Sequence, residues 1–225
     1  MIKGVIFDMD GTMFDTEPIS ALCWKKAGKL TGYKVTDALV NSFLGKNMTA
    51  ISELLRQEFG PSSDCDAIIE ARQNCYKEYI REHGAPHKEG LVSLLKYLRE
   101  KEIPAAVSTS TDRKTAEMVI KKAGVYEYFD AFVYGDMVEK GKPEPDIFWM
   151  AAEQIERKPE DCLVVEDSPA GVLAGKAAGG FTIFIPDRMI LSNEIKEGIS
   201  AELNNLNEVI TWIEQRRNES CMKQK

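Results

Sequence analysis

Short apolar runs along this chain alternate with longer stretches in which apolar residues recur at helical spacing, and these two periods separate strands from helices. The first run, Gly4-Val5-Ile6-Phe7, stops abruptly at Asp8. For about 70 residues after it no segment reads as a strand. Leu22, Trp24, Lys25 and Ala27 to Leu30 fit a helix ending near Gly32, and Ile51, Leu54, Leu55 and Phe59 fit another that stops at Gly60-Pro61. Ile68, Ile69, Cys75, Tyr76, Tyr79 and Ile80 mark a longer helix ending near Gly84, with Pro86 as a boundary. From Gly90 onward the pattern alternates: helices over 91–99, 116–123, 147–155 and 171–178, strands over 105–108, 131–134, 162–166 and 181–185. A helix over 203–215 precedes a polar tail, Asn218 to Lys225. Such alternation predicts an α/β fold with a parallel sheet, interrupted after its first strand by an all-helical unit.

The 225 residues suffice for one core of ordinary size plus that insert. A net charge of −7 argues against nonspecific binding to nucleic acid or to an anionic membrane, both of which need excess Lys and Arg. No apolar run approaches the roughly 20 residues that span a bilayer, and no secretory pattern follows Met1. Cys23, Cys65, Cys75, Cys162 and Cys221 are odd in number and lack metal-type spacing, so reduced thiols in a cytoplasmic protein are expected, with Cys221 exposed in the tail. Trp24 and Trp149 are expected to pack in their helices. With His83 and His87 as the only histidines, a His-rich zinc site or a Ser-His-Asp triad is not expected.

Candidate chemistry gathers where strand patterns end. Asp8 and Asp10, at i and i+2 of an extended chain, lie on one side and can share a metal or a substrate. Gly11 lets the backbone turn closely around a ligand, and Thr12 adds a hydroxyl; an ordinary Asp-Gly turn is the alternative. Val107-Ser108-Thr109-Ser110-Thr111 is a hydroxyl-rich loop, Gly141-Lys142-Pro143-Glu144-Pro145-Asp146 precedes a helix, and Leu163-Val164-Val165 runs into Glu166-Asp167-Ser168. Each alone has a structural reading, as a helix cap at Ser168-Pro169, a loop lysine, or a capping Thr109. In an open parallel sheet all four converge at the carboxyl ends of the strands.

With Asp8-Met9-Asp10-Gly11-Thr12, Thr109, Lys142 in Lys-Pro-Glu-Pro-Asp-Ile-Phe, and Glu166-Asp167-Ser168-Pro169-Ala170-Gly171 in this order, the chain resembles the haloacid dehalogenase superfamily. Within it, the resemblance is to phosphatases and mutases similar to β-phosphoglucomutase. It implies a Rossmann-like core of residues 1–15 and 88–225 and a helical cap of residues 16–87, hinged near Phe14 to Thr16 and Ala85 to Glu89. It also implies a Mg²⁺-dependent phosphatase acting on a small phosphomonoester, a sugar phosphate or similar metabolite, through an aspartyl-phosphate.

By position, Asp8 would be the nucleophile and Asp10 the general acid and then base. Thr109 with the Ser110 N–H would hold the phosphoryl group, and Lys142 would neutralise it. Asp8 and Asp167 side chains and the Asp10 backbone carbonyl would ligate Mg²⁺, with Glu166 acting through a water. Mutase-like members carry a histidine after the Asp-Thr step and an arginine in the cap. Here Ser20 stands at the histidine's place, and Gly45-Lys46-Asn47-Met48-Thr49 lacks the arginine. Hydrolysis is therefore expected, with a sugar phosphomutase as the alternative, in which Lys46 and Arg72 would recognise a second anion. Glu17 and Lys46-Asn47 are the candidates for substrate selection. A non-catalytic phosphate-binding module would be expected to have lost Asp8, Asp10 or Lys142, and a dehalogenase does not need Glu166 and Asp167. The expected state is a monomer or weak dimer.

Overall fold

The computed structural model describes residues 2–46 and 48–222, and the side chains beyond Asn218 are outside that description. Strand β1 (Gly4–Phe7) is followed by four helices, α1 (Glu17–Thr31), α2 (Asp37–Ser42), α3 (Met48–Phe59) and α4 (Cys65–His83). The remainder runs α5 (Leu91–Glu100), β2 (Ala105–Thr109), α6 (Arg113–Lys122), β3 (Ala131–Tyr134), α7 (Asp146–Gln154), β4 (Cys162–Glu166), α8 (Pro169–Ala178), β5 (Phe181–Phe184), α9 (Asn193–Lys196), β6 (Ala201–Glu202) and α10 (Leu206–Met222). Helix starts follow capping chemistry. The Asp64 carboxylate accepts the Ala67 N–H at 3.0 Å for α4, Asp112 accepts that of Thr115 at 3.0 Å for α6, and Ser168 accepts that of Gly171 at 3.0 Å for α8.

The strands form one parallel sheet in the order β3-β2-β1-β4-β5-β6. Period two sorts their side chains. Val5, Phe7, Ala105, Val107, Leu163 and Val165 join a core with α5, α6 and α10, whereas Ile6, Ala106, Cys162 and Val164 join one with α7 and α8. Phe7 pairs with Val107 on one side and Val165 on the other, so three strand ends lie level. The loops leaving β1, β2 and β4 therefore emerge at one edge of the sheet.

Helices α1 to α4 bury a cluster of their own around Trp24, Phe43, Ile51, Leu55 and Ile68. Ile19, Cys23, Tyr76 and Ile80 face the other way and merge with the core under the sheet. The two connections to this helical unit pair with each other: Asp15 N–H donates to Pro86 O and Lys88 N–H to Met13 O, both at 2.9 Å, and Phe14 bridges His87 antiparallel.

Several local expectations shift. Helix α2 is not visible in the apolar pattern, because six residues make under two turns and its identity rests on Thr36 accepting the Leu39 N–H. The last helix starts three residues later than its pattern suggests, since the Leu203 N–H is taken by Phe184 O in the continuation of β6. It also runs through Asn218 to Met222, which the polar composition marks as tail; residues 223–225 and the expected exposure of the Cys221 side chain lie outside the described residues. Trp149, expected to pack, is 48% exposed, with its indole N–H reaching Ala178 O at 3.4 Å.

Thr182 in β5 is 1% exposed and its hydroxyl has no partner. Leaving a buried hydroxyl unpaired costs free energy that an apolar methyl does not. Thr182→Val is therefore expected to stabilise the fold by about 1 kcal/mol, read from urea denaturation midpoints at unchanged m-value.

Candidate active site

The level strand ends bring Asp8, Ser108 and Glu166 together. Asp8 follows β1 directly, and its N–H donates to Val165 O at 3.0 Å. Lys142, from the loop before α7, reaches into the same spot. Its Nζ donates to Asp8 Oδ1 at 2.5 Å, to Glu166 Oε1 at 2.6 Å and to Ser108 O at 3.3 Å, and the side chain is 6% exposed. Glu166 uses its other oxygen to accept the N–H groups of Asp167 and Ser168 at 2.9 Å and the Ser168 hydroxyl at 3.0 Å. Thr12 Oγ1 donates to Asp167 Oδ1 at 3.1 Å.

Two glycines make this density possible. Gly11 has φ 84°, and a Cβ there would lie 2.2 Å from Asp167 Oδ2; at Gly171, in the first turn of α8, a Cβ would lie 1.7 Å from Glu166 Oε1. The backbone packs directly against the carboxylates at both positions.

Asp8, Glu166 and Asp167 are all buried and offer oxygens within 4.8 Å of one another. Burial pushes the Asp8 pKa up to about 8, with Lys142 pulling it down and Glu166 and Asp10 adding to the rise. Asp167 is held well above the carboxylate range by burial and by its neighbours Glu166 and Asp8. Burial disfavours the Lys142 ammonium, but Asp8 and Glu166 together outweigh that and raise its pKa. One ammonium cannot neutralise three buried carboxylates, so protons or a cation must supply the remaining positive charge. An all-oxygen donor set of this kind suits a hard divalent cation such as Mg²⁺.

Asp10 stands outside that cluster. Its carboxylate accepts Thr16 Oγ1 and Thr111 Oγ1, each at 2.8 Å, one hydroxyl from the first linker and one from the loop after β2. It borders a cavity of about 470 Å³ between the sheet end and the helical unit, also lined by Glu17, Ser20, Lys46, Arg72 and Ser110. Arg72 donates from Nη2 to Ser20 Oγ at 2.8 Å and stacks 4.8 Å from the Tyr76 ring centroid, while its buried Nε has no partner. Glu17 is raised by burial and then by Asp10 and Asp187, against Arg72 and Arg188. Lys46 is exposed at the cavity rim, Asn47 lies outside the described residues, and buried Thr109 accepts the Thr111 N–H at 3.1 Å.

The expected residues thus divide into two groups. Asp8, Thr12, Lys142, Glu166 and Asp167 interlock, whereas Asp10, Glu17, Lys46, Arg72 and Ser110 surround the cavity. Three residues near Asp10 have no role assigned from the sequence: Thr16 and Thr111, which donate to it, and Tyr76, which lines the same cavity. There they are two hydroxyls among many and one aromatic of a helical stripe.

This arrangement defines a hydrolase site at the carboxyl edge of a Rossmann-like sheet. A profile of the haloacid dehalogenase-like hydrolases matches residues 2–179, and the chain belongs to that family. Among its relatives are the phosphorylated carbohydrates phosphatase of Thermotoga maritima, 30% identical over 182 residues (79% of this chain, 82% of the relative), and hexitol phosphatase A of Escherichia coli, 33% identical over 183 residues (81% and 82%). The crystal structure of β-phosphoglucomutase from Clostridium difficile superposes with a TM-score of 0.80 over 99% of this chain and 100% of that one; at 24% identity this shows the shared fold.

To hold a divalent cation Asp8 and Asp167 would have to be deprotonated, whereas burial favours their protonated forms; Mg²⁺ binding at this cluster would therefore release protons and weaken as pH falls from about 8 to about 6. Titration calorimetry in buffers of different ionisation enthalpy measures the release; an affinity flat across that range contradicts it. Lys142→Met, which strands two buried carboxylates, is expected to cost about 3 kcal/mol in urea denaturation with EDTA present.

Proposed function

We propose that this protein is a Mg²⁺-dependent phosphatase that hydrolyses a small phosphomonoester, a sugar phosphate or similar metabolite, through an aspartyl-phosphate on Asp8. The observation that carries the reading is the separation of two carboxylate roles. Asp8 lies in the buried cluster with Lys142, while Asp10 is held apart by two hydroxyls at the mouth of the cavity. The phosphatases among its relatives support the same chemistry.

In the first step an Asp8 oxygen attacks phosphorus, the bond to the ester oxygen breaks, and Asp10 gives that oxygen its proton. In the second, Asp10 takes a proton from water as the water oxygen attacks phosphorus, and the bond to Asp8 breaks to release phosphate. When bound, Mg²⁺ supplies positive charge that offsets the repulsion between carboxylate and phosphate. Asp8, Asp167 and the Asp10 carbonyl would hold it, with Glu166 acting through a water. Thr109 and the Ser110 N–H hold the phosphoryl group, Lys142 neutralises it, and Thr12 orients Asp167. Residues 16–87 act as a cap that closes to exclude water. Free thiols at Cys23, Cys65, Cys75 and Cys162 accord with work in the cytoplasm, and no helix among the described residues is long and apolar enough to cross a membrane.

Arg72, whose Nη2 donates to Ser20 Oγ and whose buried Nε has no partner, together with Glu17 and Lys46, selects the substrate. Ser20 in place of a basic imidazole favours release to water over transfer to a second sugar hydroxyl.

Phosphate release from a panel of hexose and hexitol phosphates with Mg²⁺ tests the reading. Conversion of β-glucose 1-phosphate to glucose 6-phosphate without phosphate release overturns it in favour of the mutase. Asp8→Asn is expected to abolish turnover, and Asp10→Asn to lower kcat by about 10²- to 10⁴-fold while the protein stays folded. Arg72→Ala is expected to raise KM for hexitol phosphates more than for p-nitrophenyl phosphate.

A further inference from the structure

The loop between β5 and α9 touches the second linker and the helical unit, each at a place that the proposed chemistry does not use. Both ends of this loop are fixed: the Ile185 N–H donates to Glu166 O at 2.8 Å, and buried Leu191 packs with Val172 and Phe184. Between them, Asp187 forms an ion pair with Lys88 of the second linker at 2.8 Å, with the side chains 8% and 21% exposed respectively. The other Asp187 oxygen is buried without a partner. Two residues on, the Met189 thioether abuts Gly45: a Cβ on that glycine would lie 3.1 Å from both Sδ and Cε. Gly45 sits between Leu44 and Lys46 on the cavity rim.

One contact is at the hinge and the other at the far lip of the insert. A body free to rotate about a hinge has its angle fixed once its lip meets a stop. Fixing Lys88 also fixes the first linker, because the linkers are hydrogen-bonded together, and that linker carries Thr16 and, through it, one side of the Asp10 carboxylate. A buried ion pair with an unpaired oxygen is a poor source of stability, so its value lies in where it puts things.

We propose that Asp187 and Met189 are positioning residues that set the closure angle of the helical unit over the cavity, Asp187 by fastening the linkers through Lys88 and Met189 as a deformable stop for Gly45. The catalytic part of this inference rests on the phosphatase reading; the geometric part does not.

Both parts are tested with the full-length protein. Lys88→Met alone buries an unpaired Asp187 and is expected to unfold readily, whereas Lys88→Met with Asp187→Leu replaces the pair by apolar groups and recovers thermal stability. Met189→Ala is expected to unfold at the wild-type temperature. In the double variant and in Met189→Ala, hydrogen exchange of the 44–46 segment accelerates severalfold. Phosphate release from hexitol phosphate falls about ten- to a hundredfold in kcat/KM, mostly through KM in Met189→Ala. If both stable variants keep wild-type exchange at 44–46 and wild-type kcat and KM, the inference is overturned. If the wild type releases no phosphate from any ester, the phosphatase reading fails instead, and the exchange comparison alone decides whether the loop sets the angle.

Discussion

The arrangement of this protein turns on a concentration of negative charge that water cannot screen. Three carboxylates meet where β1 and β4 end, each shielded from solvent, with one ammonium between two of them. Everything nearby is arranged around that electrostatic problem. Backbone N–H groups and the Ser168 hydroxyl converge on the Glu166 oxygen that faces away from Lys142, Thr12 donates to Asp167, and glycines admit the backbone where side chains would collide. The charge that remains unmatched is what makes a divalent cation fit, and it gives the proposed attack on phosphorus its electrostatic basis.

Asp10 is only two residues from Asp8 but lives in a different environment. It borders the cavity, and its two hydroxyl donors come from separate segments, so its position reports on how the linker and the β2 loop are set relative to each other. A carboxylate placed at such a junction is sensitive to the helical unit, whereas the buried cluster is held by the sheet. In the proposed mechanism this divides the labour, with charge neutralisation carried by rigid elements and proton delivery tied to the part of the fold that adapts to substrate.

Much of this is legible from the residues alone because each acid of the cluster follows an apolar run, and parallel strands must end on one edge. β3 and β4 fall at the predicted positions since their runs are bounded by polar residues on both sides. The features that are not legible depend on tertiary pairing. β6 is two residues long and exists through its ladder with β5, α2 is shorter than the period that would announce it, and Leu203 leaves its predicted helix for a hydrogen bond to Phe184 O. The site obeys the same rule. Asp8, Lys142, Glu166 and Asp167 are recognisable by type and order, while Thr16 and Thr111 acquire a role only once the fold brings them to Asp10, and the Ser20–Arg72 contact joins residues 52 apart.

The paired linkers carry a further consequence. The chain enters the helical insert past Asp15 and leaves it before Pro86, and the amide of the first donates to the carbonyl of the second at 2.9 Å. The two chain connections of the helical insert thus run side by side through one seam, while Ile19, Cys23, Tyr76 and Ile80 seat it on the core beneath the sheet. With both passages in one place, the sheet closes around β1 without the insert taking part in its ladder, since β1 pairs with β2 on one side and β4 on the other.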